Sequence, residues 1–275
     1  MRTESGKKFI IKVDSPAAAA DLLSLRTGLS KSRTKASMNK GACWIKRGSR
    51  MKRLRKATAM LKTGEHLEFY YDESLLDITP ALPSLVDDRQ HYSVWFKPAG
   101  LMAQGTMYGD HCSMLRQAEL HFGSKREVFL VHRLDREASG LMIVGHTKEA
   151  ASKLSVMFKE NKVVRTYSVE VLGDIRQHGA KGRIEFPLDS KDAVTGYEFV
   201  SYDPASNSSA LDVRIYTGRL HQIRRHLDMI GFPVIGDPKY GKGNKNKEGM
   251  RLVASCLEFI CPFSEKEVLF RAASA

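Results

Sequence analysis

The 275-residue sequence has no apolar run approaching the roughly 18 residues of a membrane-spanning helix, which argues against a helical membrane protein. Cysteine is scarce: Cys43, Cys112, Cys256 and Cys261 are scattered, and none forms a C-x-x-C pair. That count and spacing speak against a disulfide framework and against a structural zinc site, and no metal is expected. Buried, reduced thiols in a cytoplasmic protein are the simpler reading. The first eleven residues, Met1 to Ile11, carry basic side chains but only a three-residue apolar run, so no secretory signal is expected there. Internal repeats and low-complexity tracts are missing as well. The remaining shortage is of negative charge: 31 acidic residues face 44 lysines and arginines, a formal net charge of +13.

That imbalance is local. Residues 1–70 hold 17 basic and 5 acidic side chains, whereas residues 71–275 hold 27 and 26. A charge asymmetry confined to one part of a chain points to a polyanionic partner for that part. Between Lys31 and Lys56 there are 11 basic residues and no acidic one, with Trp44 among them. A membrane-surface helix would need a broad apolar face, and residues 46–56 offer only Met51 and Leu54. Nucleic-acid phosphates are the better partner, with Arg33, Lys35, Arg47, Lys52 and Arg53 as contact candidates.

Patterning divides the chain into a basic unit (1–75), a linker (76–91) and a larger region (92–275). In the first, Ser15-Pro16 is read as a helix start and Ser30 as the cap of a second helix that Gly41 stops. Leu67, Phe69 and Tyr71 alternate as a half-buried strand does. The linker is placed on the acidic run from Asp72 to Gln90 with Pro80 and Pro83. Beyond it, Leu141–Val144 reads as a buried strand. Thr147 is the expected cap of a helix carrying Ala150, Leu154, Met157 and Phe158 on one face. Tyr167, Val169 and Val171 share one side of a strand, Leu211–Ile215 is another strand, and His221–Ile230 is a short helix ended by Gly231. The expected fold class is α+β: a small α+β unit followed by a domain on a mixed, mostly antiparallel sheet.

The basic unit resembles the small RNA-binding domain named for ribosomal protein S-four. The resemblance rests on Leu22-Leu23, Ser32-Arg33-Thr34-Lys35, Lys40-Gly41 and Lys62-Thr63-Gly64-Glu65.

The larger region carries ordered motifs. They are Lys97-Pro98-Ala99-Gly100, then His132-Arg133-Leu134-Asp135-Arg136-Glu137-Ala138-Ser139-Gly140, then Arg165-Thr166-Tyr167. Thr217-Gly218-Arg219-Leu220-His221-Gln222-Ile223-Arg224 and Gly236-Asp237-Pro238-Lys239-Tyr240-Gly241 follow. In this order they resemble the RluA class of pseudouridine synthases, over about residues 92–275. The resemblance implies isomerisation of a uridine in RNA to pseudouridine, without metal or organic cofactor. It maps the catalytic aspartate to Asp135, its partner arginine to Arg224 and an active-site tyrosine to Tyr167.

The residue types suit that chemistry. Breaking a glycosidic bond builds positive charge at C1′, which a carboxylate can stabilise or attack. Asp135 could equally remove a C2′ proton. A guanidinium can hold that carboxylate bidentate and aim it. Tyr167 offers a face to stack on uracil and a hydroxyl for proton transfer from C5. His132, Arg133 and Arg219 are candidate phosphate or base-slot contacts for a flipped-out nucleotide. A hydrolase releasing uracil would want a second carboxylate, for which Glu137 is the nearby candidate. A non-catalytic, ribosome-associated RNA-binding protein is the other alternative. Three positions depart from the class pattern: Ala138 for threonine, Leu220 for threonine or serine, and Val253 for histidine. The expected partner is RNA, ribosomal in preference to transfer RNA because of the extra basic unit, bound by a monomer.

Overall fold

The computed structural model describes residues 6–246 and 248–273. Met1–Ser5, part of the segment read for a secretory signal, lie outside the described residues. The chain forms two compact units, one within Met1–Pro80 and Gln104–Gln117, the other within Ala81–Ala103 and Ala118–Ala275.

The first unit runs β1 (Lys7–Lys12), β2 (Ala17–Ala18), α1 (Ala19–Thr27), α2 (Lys31–Asn39), β3 (Cys43–Arg47), β4 (Arg50–Arg53), β5 (Met60–Leu61), β6 (His66–Tyr71) and α3 (Glu73–Leu76). Four strands pair antiparallel in the order β1-β6-β3-β4. Leu22, Leu23 and Met38 from the helices join Ile45, Leu67 and Phe69 from the sheet in one core. The Ser30 hydroxyl caps α2 by accepting from the Arg33 N–H at 3.2 Å, as expected. Ser15-Pro16 does not start α1. Ala17-Ala18 is drawn into a two-residue ladder with Met60-Leu61, and the helix begins at Ala19 without a side-chain cap.

Gln104–Gln117 belongs to this unit through contacts remote in sequence. The Trp44 indole N–H donates to the Met107 carbonyl at 3.0 Å, and the Asp110 N–H donates to the Lys40 carbonyl at 3.0 Å. The Asp110 carboxylate receives Arg53 Nε at 3.1 Å and Arg55 Nη2 at 2.5 Å. Gly41 (φ +88°) turns the chain beneath this cluster, and a Cβ there would meet Asp110 Oδ1 at 2.5 Å.

The second unit contains β7 (Ser84–Asp88), β8 (Tyr92–Lys97), part of α4 (Met114–His121), β9 (Phe129–Leu130), β10 (Ser139–Gly145), α5 (Lys148–Lys159) and β11 (Val164–Leu172). It continues with a 3-10 turn (Ile175–Gln177), β12 (Lys181–Ile184), β13 (Thr195–Asp203), β14 (Ser208–Ile215), α6 (Gln222–Met229), β15 (Leu252–Ile260) and β16 (Glu267–Arg271). The sheet order is β12-β13-β14-β11-β15-β10-β8-β7, with β16 beside β15 and β9 beside β10. The expected linker is therefore shorter than 76–91. Ser84–Asp88 pairs with β8 as an edge strand, which tolerates its alternating, half-exposed acidic sequence.

The Thr147 hydroxyl caps α5, which buries Ala150, Ala151, Leu154 and Phe158. Leu154 and Phe158 pack with Tyr92, Leu141, Ile143, Leu257 and Phe259, each full burial worth about 1.5–3 kcal/mol. All pairings in the sheet are antiparallel except β10–β15, where Ser139 faces Val253 and Gly140 faces Ala254. Gly140 has φ +115°, and a Cβ there would collide with the Ala254 backbone. Only glycine lets the strands meet at this junction. Gly140→Ala is expected to cost about 2 kcal/mol or more of stability. A denaturant midpoint equal to wild type would contradict that close approach. Among the described residues, no helix is long and apolar enough to cross a membrane.

Candidate active site

The loop between β9 and β10 carries Asp135, and it is fixed from beneath. Lys97, at the end of β8, is fully buried. Its ammonium donates to the carbonyls of Ala138 at 2.5 Å, Leu101 at 2.9 Å, Pro98 at 3.0 Å and Arg136 at 3.4 Å. The Gly100 N–H adds a bond to the Arg136 carbonyl at 2.7 Å. The Lys-Pro-Ala-Gly motif is thus the floor on which the Asp135 loop rests. Burial pulls the Lys97 pKa down to about 8, against the attraction of Glu137 and Asp135. The unfolded chain therefore binds the Lys97 proton more tightly, and the stability contribution of this residue rises as pH climbs from about 8 towards 10.5. Lys97→Met is expected to flatten that part of the stability–pH curve. An unchanged slope would contradict the burial of the charge.

Arg224 on α6 faces the loop. It is 2% exposed and bridges two carboxylates. Nε and Nη2 donate to Asp237 at 2.6 and 2.8 Å, and Nη1 donates to Asp135 at 2.9 Å. Burial opposes the charge on Arg224, and the hydrogen bonds to Asp237 and Asp135 more than reverse this, so its pKa is raised. Asp237 is itself locked by the N–H groups of Lys239 (2.8 Å) and Tyr240 (3.1 Å). The chain Asp237–Arg224–Asp135 runs from a buried anchor to a carboxylate whose side chain is 25% exposed.

A polar scaffold sets α6. The Gln222 side chain accepts from the Thr217 hydroxyl (2.7 Å) and the Arg219 N–H (3.0 Å), and donates to the Val194 carbonyl (2.9 Å). Buried His226 bonds Thr195 Oγ1 and the Phe186 carbonyl, each at 2.9 Å. His221 enters the helix in the left-handed region, φ 52°. Its Nδ1 lies 3.1 Å from the Tyr240 hydroxyl, and its Nε2 lies 4.0 Å from Asp135.

These elements line a cleft of about 690 Å³, within the range of ligand pockets. Asp135, Tyr167, Arg224, His132, Arg133 and Arg219 all line it, together with Lys159, Asn161, Arg165, His221 and apolar residues including Leu134, Ile215, Ile223 and Leu252. Asp135 is the carboxylate of that lining; Glu137 stands beside it, its Oε2 3.6 Å from the same Arg224 Nη1 that donates to Asp135. Burial pushes the Tyr167 phenol up to about 12, Arg165 pulling against this, so its hydroxyl is protonated at neutral pH.

His132, expected as a phosphate or base-slot contact, lines the cleft with its ring held by the fold. Its ring stacks on Phe158 with centroids 4.1 Å apart, and its Nε2 accepts the Ile143 N–H at 3.0 Å. Burial, aided by Arg165, lowers its pKa to about 3, which leaves it neutral with the proton on Nδ1. Arg133 is exposed and makes no ion pair or hydrogen bond among the described residues. Arg219 donates Nε to the Asp192 carbonyl at 2.8 Å.

Sequence patterns alone give no role to Asp237, Lys97, His221 and Arg165, although each lies in or beside a quoted motif. Arg165 is 8% exposed, donates Nη2 to Asn161 at 3.0 Å and leaves Nε without a partner. Among the described residues, no group of three or more His, Cys, Asp or Glu side chains is placed to hold a metal ion.

The basic unit also sorts its cations. Arg33 is bound to Tyr71, Glu73 and Asp77, and Arg47 to Glu65. Arg53 lies 4.2 Å over the Trp44 ring and pairs with Asp110. Of the expected contacts in this unit, Lys35 and Lys52 are exposed with no hydrogen bond or ion pair among the described residues, as are Lys46, Arg50 and Lys56.

The model of the RNA pseudouridylate synthase family matches residues 91–229. A tRNA pseudouridine synthase C from Vibrio parahaemolyticus is 28% identical over 225 residues, 71% of this chain and 92% of the relative. A ribosomal large subunit pseudouridine synthase D from Zymomonas mobilis is 30% identical over 221 residues, 68% of each chain. Human RNA pseudouridylate synthase domain containing 1 superimposes with a TM-score of 0.60 at 21% identity, covering 72% of this chain and 86% of that one, which supports the mixed α+β fold. With the family's model laid over the Asp135 loop and the Arg224 helix, the chain belongs to the RNA pseudouridylate synthases of the RluA type.

Proposed function

We propose that the protein isomerises a specific uridine of a structured RNA, ribosomal RNA in preference to transfer RNA, with Asp135 as the catalytic carboxylate. One observation carries this reading: the Asp135 carboxylate lines the cleft and is aimed by an arginine that is anchored from behind. A glycosidic hydrolase of the ordinary kind needs a second carboxylate to direct water or protonate the leaving group, and the nearest one, Glu137, is drawn to the same Arg224 nitrogen as Asp135. Isomerisation needs neither, because the uracil stays in the site. The N1–C1′ bond breaks, the base rotates and a C5–C1′ bond forms. C5 gives up its proton and N1 gains one, so product and substrate are isomers. Asp135 serves as the anion beside C1′ while positive charge develops there. Tyr167 contributes its ring as a platform for uracil. Since its phenol is protonated at neutral pH, stacking is the role we assign it ahead of phenolate base.

The target RNA is open between the two classes that name the relatives. The separate basic unit favours a large substrate, and we read it as an S-four-like RNA grip. Within it we assign phosphate binding to the cations Lys35, Lys46, Arg50, Lys52 and Lys56, which have no ion pair among the described residues; Arg33 and Arg53 are held by the fold, and Arg47 makes one exposed ion pair with Glu65. Replacing Lys46, Arg50 and Lys52 together by alanine is expected to reduce the slope of log affinity against log salt by about 0.7–0.9 for each phosphate no longer neutralised. Arg53→Ala should instead lower stability, since it uncovers Trp44 and releases Asp110. Salt titration of RNA binding beside thermal unfolding separates the two, and an unchanged slope in the triple variant would contradict the assignment.

The test of the reaction uses ribosomal and transfer RNA transcripts labelled with tritium at uridine C5. Isomerisation releases the tritium to solvent and keeps the base on the chain. Free uracil would mean hydrolysis, and no release from either RNA would count against the reading.

A further inference from the structure

Lys97, Arg165 and Arg224 are the buried lysines and arginines among the described residues, and Arg165 is the one left uncompensated. Arg224 holds two carboxylates, and the Lys97 ammonium is surrounded by carbonyls. Arg165 is 8% exposed and makes no ion pair among the described residues. Its Nη2 donates to Asn161 Oδ1 at 3.0 Å, its Nε is enclosed without an acceptor, and its Nη1 has no hydrogen bond. Burial opposes the charge, and the attraction that offsets it comes from Tyr167, whose phenol is protonated at neutral pH. A buried ion is costly unless a counter-ion and hydrogen bonds repay its desolvation. The fold supplies no counter-ion here.

The side chain is nevertheless fixed. Asn161 turns the chain after α5 in the left-handed region, φ 55°, and receives the guanidinium. The guanidinium carbon lies 5.9 Å from the centroid of the Phe158 ring. Arg165 and Tyr167 stand two residues apart on β11, and both line the cleft. That spacing is roughly 6.6 Å along a strand, the scale of a base and the phosphate of its own nucleotide. Gly218, also in the lining, leaves room beside the guanidinium: a Cβ there would stand 3.4 Å from Arg165 Nη1. Its backbone is outside the left-handed region, so the turn itself does not require glycine.

A fixed guanidinium with spare donors and no carboxylate fits an anion with several acceptor oxygens, and RNA offers one at every phosphodiester. We propose that Arg165 is a phosphate seat inside the cleft, binding one of the two phosphodiesters that flank the target uridine while the uracil lies on Tyr167. The buried charge is then completed by the substrate, and the free protein gives up stability at this position to hold RNA. The inference rests on the isomerase reading above.

The experiment measures binding of an RNA hairpin carrying the uridine mapped as this protein's target, with deoxyribose at that uridine and at the nucleotide before it. Three versions are compared: all phosphates intact, a neutral methylphosphonate on the 5′ side of the uridine, and one on its 3′ side. Arg165→Met is expected to raise the thermal midpoint and to bind the intact RNA about tenfold or more weakly. Its slope of log affinity against log salt should fall by about 0.7–0.9, the value of one phosphate. One of the two methylphosphonates should weaken wild-type binding by the same factor and leave Arg165→Met binding unchanged. Arg165→Gln, which can still donate to Asn161, should repeat this pattern and guards against a misfolded methionine variant. Wild-type affinity in both variants, or losses that add in full for both methylphosphonates, overturns the seat. Tritium release from the all-ribose hairpin by wild-type protein is measured separately. No release overturns the isomerase reading, whereas release together with additive losses overturns the seat alone.

Discussion

Asp135→Asn is expected to reduce turnover by roughly 10³-fold or more while leaving the protein folded and able to bind RNA. Asparagine keeps the shape of the side chain and removes the negative charge that faces C1′ as the glycosidic bond breaks. The fold should tolerate the change. The Asp135 side chain is 25% exposed, and Arg224 keeps both hydrogen bonds to Asp237. The stability cost is therefore expected to stay near ~1 kcal/mol, as for a partly solvated pair. Binding should change little, since the phosphate contacts proposed above come from other side chains. A variant that loses affinity and turnover in equal proportion would mean that Asp135 helps hold the RNA and does not act on it.

Asp237→Asn should behave in the opposite way. Its side chain is fully buried and accepts from Arg224 twice and from two backbone N–H groups. The amide would leave the Arg224 cation buried with only the partly exposed Asp135 and Glu137 as carboxylate partners. Breaking a buried pair from one side typically costs about 3–5 kcal/mol, and the loosened arginine would no longer aim Asp135. A misplacement of about 1 Å can cost about 10²-fold in rate. Burial raises the Asp237 pKa, while Arg224 and the two N–H groups lower it further than burial lifts it, so the net shift is downward. Its contribution to stability is then fully present above the unfolded carboxylate value of about 4 and is lost as pH falls through the lower folded value. Acid unfolding of Asp237→Asn should lack that component. A variant with wild-type stability and acid midpoint would show that the buried pair is not the anchor.

These contrasts show where sequence patterns stop. The Thr147 cap, the apolar face of α5 and the alternation through Tyr167 are legible because they are set by neighbours within a turn or two. The His-Arg-Leu-Asp motif is legible as a string, and Asp135, Tyr167 and Arg224 line one cleft. What a string cannot reveal is which groups stand behind them. Lys97 and Asp237 act across long sequence separations on a loop and a helix. The same limit explains the basic cluster. Eleven like charges suggest an open phosphate grip, but Arg33, Arg47 and Arg53 find acidic partners at Glu73, Asp77, Glu65 and Asp110. The motif position of His132 suggests an RNA contact, and what the motif does not reveal is that Phe158 takes one face of the ring and the Ile143 N–H its acceptor. Gln104–Gln117 joins the basic unit only through tertiary contacts, so a cut after residue 75 would not divide the protein at its structural boundary.

The division of charge also has a consequence for catalysis. The second unit holds 26 basic and 22 acidic residues, so it carries little of the chain's excess charge and individual cations matter in the cleft. Arg133, Arg165 and Arg219 are placed there individually, and two of them have limited freedom to serve elsewhere.

The most direct test maps pseudouridines across total RNA from cells lacking this protein, with and without complementation by the wild-type chain or by Asp135→Asn at matched expression. At least one uridine should lose its modification without the protein, regain it with wild type and stay unmodified with Asp135→Asn. An unchanged map, or full restoration by Asp135→Asn, would contradict the assignment of the chemistry to this carboxylate.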